Sequence, residues 1–189
     1  MPTVFTHAAV PLALSLGLGG KVISKRMMAA GIIVSVLPDL DVLAFRFGIP
    51  YASAFGHRGF SHSLLFAFTL ALIGASLARP LRSTATRAFL FLFLAAASHG
   101  ILDSFTSGGC GVAFLWPFSD TRFFAAVHPI RVCPFGLSAF LSIKGLIVLW
   151  SEICWVWLPF MGTAIAMAAL RSHRASLSRQ NLQENGTMG

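Results

Sequence analysis

The fold of this chain is decided by one stretch, residues 88–105, which reads AFLFLFLAAASHGILDSF. Its first part is almost entirely apolar, and its length is close to the roughly 20 residues that a helix needs to cross a bilayer. His99 and Asp103 lie near its end, four residues apart, so a helix projects both side chains from one face. The stretch therefore predicts a membrane span that carries two candidate metal ligands; a local hydrogen bond between the two side chains is the alternative.

The composition of the whole chain is that of a membrane protein. Of its 189 residues, 56% are hydrophobic and 11% are charged, whereas about a quarter of the residues in a soluble protein are charged. The mean hydropathy is +0.79. Apolar runs cover residues 5–18, 27–47, 63–78, 88–105 and 136–170. We predict an all-α, polytopic membrane bundle of about five spans, with four as the alternative count.

The end of the chain differs in composition from the rest. The last apolar run is long enough for one tilted span and an interfacial lead-in, with a kink expected at Pro159. Beyond it the sequence is polar. We therefore expect residues 1–171 to form the membrane-embedded domain and residues 172–189 to form a disordered cytoplasmic tail.

The basic residues predict the orientation of the spans. Five spans that start from an outer N-terminus leave residues 19–26, 79–87 and 171–189 on the inner side. These segments hold nine of the 14 basic residues, namely Lys21, Lys25, Arg26, Arg79, Arg82, Arg87, Arg171, Arg174 and Arg179. Cytoplasmic loops are enriched in Lys and Arg, so the bias supports an outer N-terminus and a cytoplasmic C-terminus.

The remaining charge features fit the same location. The uncharged lead-in before the first apolar run is not typical of a cleavable signal peptide. The net charge of +8 is explained by short inner loops that face anionic lipid headgroups. Since no nucleic-acid-binding motif accompanies this charge, we expect membrane lipids as partners and no nucleic acid.

Of the 12 carboxylate and histidine side chains, seven fall in four short motifs, THAA, LPDLD, GHRGFSHS and SHGILD. The predicted topology places these seven at the outer ends of their spans: His7, Asp39, Asp41, His57, His62, His99 and Asp103. Ionisable residues are costly in or near hydrocarbon, so they indicate a functional site. Histidine with aspartate, without clustered cysteine, is typical of a hydrolytic metal site. We predict such a site at the outer membrane face.

The motif LPDLD ends the second run, where Pro38 interrupts the helix. On a regular helix the side chains of Asp39 and Asp41 would diverge by about 200°, whereas an irregular turn could direct both inward. Carboxylates at a helix C-terminus oppose its dipole. This conflict favours a nearby cation over an ordinary polar helix end.

The motif GHRGFSHS opens the third run. Ser61 is expected to cap the helix and to place His62 in its first turn. Two glycines allow a tight loop that brings His57 and Arg58 over the site. Arg58 is the candidate for binding a phosphate or carboxylate group, because guanidinium binds such groups in a bidentate manner; anchoring to lipid headgroups is the alternative.

Glu152 is an isolated carboxylate inside the last apolar run. A buried carboxylate must be paired, protonated or bound to metal. It could be an extra ligand, a general base, or a partner for Lys144 or Arg58.

The segment from residue 106 to 134 is predicted to be an outer loop. It contains Cys110 and Cys133, and an oxidising outer compartment would permit a disulfide between them, although the sequence leaves their pairing open. The aromatic side chains of this loop suit the membrane interface. They could form a lid or a lipid entrance, or act as simple anchors.

These motifs, with the later LWPFS and SEICWVWLP, resemble the bacterial inner-membrane metal-dependent hydrolases of the LexA-regulated type. The resemblance covers roughly residues 1–160 and is most specific at HRGFSHS and HGILD. The order His, Asp, His and HxxxD is also similar to the zinc-dependent phospholipase C superfamily. That likeness implies the ligands His7, Asp39, His62, His99 and Asp103, with Asp103 able to bridge two metals. The further His, His and Glu set of that superfamily is matched here only loosely, by His128 and Glu152, so we expect one or two ions.

The resemblance and the residues together give an expected function. The cofactor is expected to be a divalent metal, first zinc and otherwise manganese, that activates water. Asp39, Arg58 and Glu152 are the catalytic candidates, and the expected reaction is hydrolysis of a phosphate ester in a lipid or lipid-linked amphiphile. The zinc protease signature H-E-x-x-H is absent, which disfavours a peptide substrate. Two alternatives remain: a non-enzymatic metal-binding or transport protein, and a structural or regulatory membrane protein whose polar cluster locks helices together.

Overall fold

Helices dominate residues 1–134 and 137–186, the part of the chain that the computed structural model describes. The α-helices are α1 (Val4–His7), α2 (Ala9–Leu18), α3 (Lys25–Val36), α4 (Leu64–Ser76), α5 (Ala85–Ser104), α6 (Leu137–Phe140), α7 (Ile143–Glu152) and α8 (Leu158–Gly186). Two 3-10 segments, Leu37–Phe47 and Phe60–His62, and one π-helical segment, Ile153–Trp157, complete the order. Within the described residues, extended structure is limited to two isolated bridges. The predicted all-α class is confirmed.

Three helical segments are long and apolar enough to cross a bilayer: Lys25–Phe47, Ala85–Ser104 and Ile143–Gln180. Two shorter apolar helices, Val4–Leu18 and Leu64–Ser76, accompany them. Each of the five predicted apolar runs therefore contains a helix, as expected for a membrane bundle. The first residue of the last run, Gly136, lies outside the described residues.

Hydroxyl side chains fix where the central helices begin. The Oγ of Ser24 accepts a hydrogen bond from the N–H of Met27 at 3.1 Å, which caps α3. The Oγ of Ser63 accepts one from the N–H of Phe66 at 3.1 Å, which caps α4. The cap is therefore Ser63 and not Ser61, and His62 precedes the helix. The reason is that the hydroxyl of Ser61 is used elsewhere, in the site described below.

The final helix differs from expectation in two places. The irregularity expected at Pro159 lies one turn earlier, in Ile153–Trp157, because a π-helical turn can absorb the missing N–H and the bulk of the proline ring. The polar residues after position 172, expected to be disordered, continue α8 as far as Gly186. Extending an existing helix costs little, and the Ala, Leu, Arg and Gln of this segment are good helix formers.

Helix α5 is the centre of the bundle, and it packs along both α3 and α4, while α2 packs along α8. The core between α3, α4 and α5 includes Met27, Ala71, Phe91 and Leu92, all of them buried. Many apolar side chains on the outer surface of the bundle are exposed. This is the arrangement expected where hydrocarbon surrounds the helices.

The two ends of the bundle differ in chemistry. At one end, Arg26 donates to the carbonyl of Pro80, Ser24 donates to the carbonyl of Leu81, and Arg171 donates to the carbonyl of Gly17. The three segments predicted to be basic inner loops therefore meet there. The candidate ligands lie at the opposite end, because they are near the other ends of the helices that these basic segments join.

A glycine substitution tests the close packing of α2, α3 and α5. A Cβ atom added at Gly31 would lie 3.2 Å from the Cβ of Pro11 and closer still to the ring of Phe91. We expect Gly31→Leu to destabilise the protein by about 1–3 kcal/mol through overpacking, measured as a lower midpoint of thermal unfolding in detergent. The control is Gly162→Leu, since nothing lies within 4 Å of a Cβ at Gly162. Equal midpoints for the two variants would contradict this packing.

Candidate metal centre

Five buried side chains converge at the end of the bundle opposite the basic segments. We call His7, Asp39, His62, His99 and Asp103 the ligand cluster. Three short distances define it: 2.9 Å between the Nε2 atoms of His62 and His99, 3.3 Å from His62 Nε2 to Asp103 Oδ2, and 3.4 Å from His99 Nε2 to Asp39 Oδ1. The Nε2 of His7 lies 3.7 Å from Asp39 Oδ2 and 3.8 Å from Asp103 Oδ1.

Four of the five side chains of this cluster place donor atoms close enough to share one ion. One donor atom from each of Asp39, His62, His99 and Asp103 lies within 4.8 Å of the others. The ring of His7 stacks on the ring of His99, with centroids 3.7 Å apart and an interplanar angle of 18°. The cluster thus combines segments that are far apart in sequence.

Six polar atoms of the cluster are buried without a hydrogen-bond partner. They are both carboxylate oxygens of Asp39, both of Asp103, and both ring nitrogens of His7. Their contacts with neighbouring side chains are long or poorly directed, so they count as ion pairs at most. A buried polar group without a partner costs about 1–3 kcal/mol, and more when it is charged. A divalent metal would satisfy these atoms, and the mixture of imidazole and carboxylate ligands suits zinc or manganese.

A backbone carbonyl orients His99 for metal binding. The Nδ1 of His99 lies 2.7 Å from the carbonyl oxygen of Ser35 on α3. A carbonyl only accepts hydrogen bonds, so Nδ1 carries the proton and the lone pair of Nε2 faces the cluster. This arrangement is the usual outer support of a metal-binding histidine. The role of Ser35 could not be predicted from sequence spacing, because it depends on a contact between two helices.

Asp41 supports His62 from the side opposite the cluster. Its Oδ2 lies 3.2 Å from His62 Nδ1 and also accepts hydrogen bonds from the Ser61 hydroxyl at 2.6 Å and the Arg58 N–H at 3.1 Å. Its Oδ1 lies 2.5 Å from His57 Nδ1. We call Asp41, His57 and Ser61 the support group.

Asp39 and Asp41 therefore join different groups, although both were predicted as ligands. Asp41, His57 and His62 Nδ1 also have donor atoms within 4.8 Å of one another, but Asp41 already has several hydrogen-bond partners. The local structure explains the split. On a 3-10 helix, side chains two positions apart point about 120° away from each other, and Leu37–Phe47 is such a helix. The irregular turn that could have directed both carboxylates inward does not occur.

Two carboxylates perturb the protonation of His62. Burial lowers the pKa of His62, but its close contacts with the carboxylates of Asp103 and Asp41 outweigh this effect and raise the pKa to about 9. In the absence of metal, His62 therefore holds a proton between the two acids. A metal that binds Nε2 must displace a proton from this imidazole.

Arg58 is a buried partner of Asp103. Its Nε lies 2.9 Å from Asp103 Oδ2, and its two terminal nitrogens donate to the carbonyl of Gly108 at 3.0 Å and to Thr106 Oγ1 at 2.9 Å. The side chain is 0% exposed, so the guanidinium predicted to bind phosphate is directed at a cluster carboxylate. The backbone of Arg58 has a φ of +63°, a conformation that is uncommon for a residue other than glycine and is often found at functional sites.

Glu152 lies outside the ligand cluster and holds the N-terminal segment. Its Oε1 accepts a hydrogen bond from the N–H of Thr3 at 2.5 Å, and its Oε2 accepts one from each of the hydroxyls of Thr3 and Thr6 at 2.7 Å. Thr6 immediately precedes His7, so this network fixes the approach of a cluster residue. The structure thus gives Glu152 partners other than Lys144 or Arg58. The signal available in the sequence was the pair of threonines in the first turn.

The loop from residue 106 to 134 lies against the site. The N–H of Ala113 donates to the carbonyl of Arg58 at 3.1 Å, and Arg122 donates to the carbonyl of His57 at 3.1 Å. The contact of Arg122 leaves no signal in the sequence. Cys110 and Cys133 of this loop are free thiols in the structure. The ring of His128 packs on Phe124 at 5.2 Å, apart from the ligand cluster.

Comparison with known proteins identifies the family. The YdjM inner membrane protein family matches residues 1–175. The chain belongs to this family. It is also 54% identical to the inner membrane protein YbcI of Escherichia coli strain K12 over 162 residues, which are 85% of this chain and 94% of that relative. No solved structure matches the chain.

The family membership agrees with the apolar helices, and together they place the protein in the inner membrane. This confirms the inner-membrane part of the resemblance drawn from the motifs. The family description names a location and not a reaction. The chemistry of the site must therefore be argued from the ligand cluster itself.

The raised pKa of His62 predicts a pH dependence of stability in the metal-free protein. A group with a higher pKa in the folded state stabilises the fold below its unfolded pKa, about 6.5 for histidine, and this stabilisation is lost as the pH rises through about 9. We expect the thermal midpoint of chelator-treated protein in detergent to fall across that range.

Two variants separate His62 from the other histidines. His62→Gln should remove the fall in midpoint between about pH 6.5 and 9, whereas His173→Gln, at an exposed position on α8, should keep it. A flat profile for the chelator-treated wild type would show that His62 is not held in this way.

Proposed function

We propose that this inner membrane protein is a metal-dependent hydrolase that cleaves a phosphate ester in a lipid or lipid-linked amphiphile. One observation carries the proposal: five ligand-type side chains converge, and six of their polar atoms are buried without a hydrogen-bond partner. A cluster that served only to lock helices together would be expected to pair these atoms with each other. A bound cation explains both the convergence and the missing partners.

The ligand cluster supplies the metal ligands in this proposal. His7, His62 and His99 would bind through Nε2, and Asp39 and Asp103 through carboxylate oxygens. A bound divalent metal lowers the pKa of coordinated water to about 7 and polarises the bond under attack. Zinc is the first candidate and manganese the second, with one or two ions, because these metals accept mixed nitrogen and oxygen ligands.

Asp39, Arg58 and Glu152 have further roles in this proposal. Asp39 has two oxygens without hydrogen bonds, so one can bind metal while the other orients the attacking water and accepts its proton. Arg58 holds Asp103 in place through the 2.9 Å contact and adds a positive charge beside the site, which favours a substrate with an anionic phosphate group. Glu152 positions His7 through Thr6.

The substrate class follows from the location of the cluster. Two of its residues, His99 and Asp103, lie in the last turns of the candidate span Ala85–Ser104, and Asp39 lies in the candidate span Lys25–Phe47, so an amphiphile can reach it from the bilayer. We also propose that the cluster lies at the outer face, with the N-terminus outside and the C-terminus in the cytoplasm. The meeting of the basic segments at the opposite end supports this orientation.

The central prediction joins metal content to activity. Purified wild-type protein should contain about one or two equivalents of zinc or manganese and should hydrolyse at least one member of a panel of phospholipids and lipid phosphates. His99→Ala and Asp103→Ala should lose both properties, because each removes a ligand. Asp41→Asn should lower the metal affinity about 10- to 100-fold, as is usual when only the outer support of a ligand is removed.

His173→Ala is the matched control, since it removes an exposed histidine of α8 and should change neither property. A wild type without bound metal, or ligand variants that retain metal and activity, would contradict the proposal. Metal content without hydrolysis of any lipid in the panel would favour a metal-binding protein that is not an enzyme.

The proposed orientation predicts which cysteine reacts from outside the cell. Cys110 is exposed on the loop after α5. In cells with a permeabilised outer membrane and an intact inner membrane, a membrane-impermeant maleimide should label wild-type protein. It should not label the double variant Cys110→Ala, Cys133→Ala, which also lacks the partly exposed cysteine of the same loop. A cysteine placed at Ser172 in this double-variant background should be labelled only after the inner membrane is opened. The reverse pattern would invert the topology.

A further inference from the structure

A short segment, residues 124–130, lines two recesses that differ in the polarity of their side chains. One recess is polar and is lined by Ser107, Gly108, Gly109, Thr106, Phe124 and His128. The other is an apolar groove whose lining includes Ile101, Phe105, Val127, Ile130, Trp155 and Phe160. The ligand cluster contains none of these residues.

Consecutive residues line the two recesses. Phe105 lines the apolar groove, and the next residue, Thr106, lines the polar recess. In the same way, Val127 lines the groove and His128 lines the recess. Backbone hydrogen bonds hold the two walls together, from the N–H of Ser107 to the carbonyl of Ile130 at 2.9 Å and from the N–H of Ile130 to the carbonyl of Phe105 at 3.3 Å. The recesses are therefore adjacent, with a polar and an apolar side at fixed positions.

The polar recess lies beside the ligand cluster. The hydroxyl of Thr106 contacts Arg58 and donates to the carbonyl of Asp103 at 2.7 Å. The carbonyl of Gly108, another lining residue, accepts a hydrogen bond from Arg58. A group seated in this recess would be separated from Asp103 by Thr106 and the Arg58 guanidinium.

The apolar groove opens toward hydrocarbon. Ile101 belongs to α5, and Trp155 and Phe160 belong to the final helical segment, both of which are candidate spans. Ile101 is 47% exposed and Trp155 is 60% exposed. In the inner membrane, the molecules that meet such a surface are the acyl chains of lipids.

We propose that residues 124–130 form the binding element for one phospholipid taken from the surrounding bilayer. Its acyl chain lies in the apolar groove, and its phosphate headgroup lies in the polar recess against His128 and Ser107. This inference rests on the proposed function, because it names the site at which the amphiphile that the ligand cluster would hydrolyse first binds from the bilayer; Thr106 and Arg58 still separate its phosphate from Asp103 at this stage.

The test is photo-crosslinking with the full chain in phosphatidylcholine vesicles. The probe is phosphatidylglycerol that carries a diazirine on one acyl chain, and labelled residues are mapped by mass spectrometry. Labelling is expected to concentrate on Ile101, Val127, Trp155 and Phe160. Unlabelled phosphatidylglycerol should compete better than diacylglycerol with the same chains, because only the former carries a phosphate.

Groove-filling variants test the acyl chain. Ile101→Trp and Val127→Trp fill the groove from two different segments of the chain, and each should reduce labelling at the other groove residues about ten-fold, the loss expected when about two methylene groups no longer reach the site. Leu94→Trp is the control, because Leu94 is also exposed on α5 but does not line the groove. His128→Ala should remove the advantage of phosphatidylglycerol over diacylglycerol, whereas His173→Ala should keep it.

The outcomes separate this inference from the proposed function. Uniform labelling of exposed apolar residues on all helices, or equal labelling of Ile101→Trp and Leu94→Trp, would overturn the binding element. The residue changed in His99→Ala is a candidate metal ligand that lines neither recess. The groove labelling of this variant should therefore match that of the wild type. Concentrated groove labelling in a protein without metal or hydrolysis would support the lipid site and contradict only the hydrolase.

Discussion

Two buried carboxylates without hydrogen-bond donors are the constraint on which the rest of the structure depends. Asp39 is 5% exposed and Asp103 is 0% exposed, and all four of their oxygens lack a partner. Charges in such a position are tolerated only when a cation or a strong donor compensates them. Arg58 supplies part of that compensation for Asp103 through its Nε, and three histidines surround the remaining oxygens. A bound divalent ion, as proposed above, would complete the balance and would explain why so many costly groups are packed at one end of an apolar bundle.

The surrounding residues can be understood as supports for this centre. Asp41 contacts the Nδ1 of His62, and the Ser35 carbonyl accepts a hydrogen bond from the Nδ1 of His99. Glu152 fixes the segment that leads to His7. Each contact links two helices or a helix and a loop that are distant in sequence. The same contacts that orient the candidate ligands therefore also fasten this end of the bundle. For this reason, loss of a support should weaken metal binding before it unfolds the protein.

Part of this arrangement could be predicted from the sequence. The spacing of His99 and Asp103 places both on one face of a helix, and the alternation of apolar runs and basic loops brings the motifs to one end. Three features could not be predicted, because they depend on contacts between segments. The 3-10 helix separates Asp41 from Asp39, Arg58 turns inward to Asp103, and Glu152 meets two threonines at the other end of the chain. The polar composition after position 172 predicted disorder, whereas the good helix formers of this segment extend α8 as far as Gly186.

X-ray absorption spectroscopy at the metal edge of the purified protein tests the central claim most directly. The expected spectrum has a first shell of nitrogen and oxygen atoms near 2.0–2.2 Å, the range for zinc bound by histidine and carboxylate. It should also contain the outer-shell scattering of about three imidazole rings, which should decrease by one ring in a variant that retains metal after loss of His7. A first shell with sulfur near 2.3 Å, or one without imidazole scattering, would place the metal elsewhere and contradict the assignment of the ligand cluster.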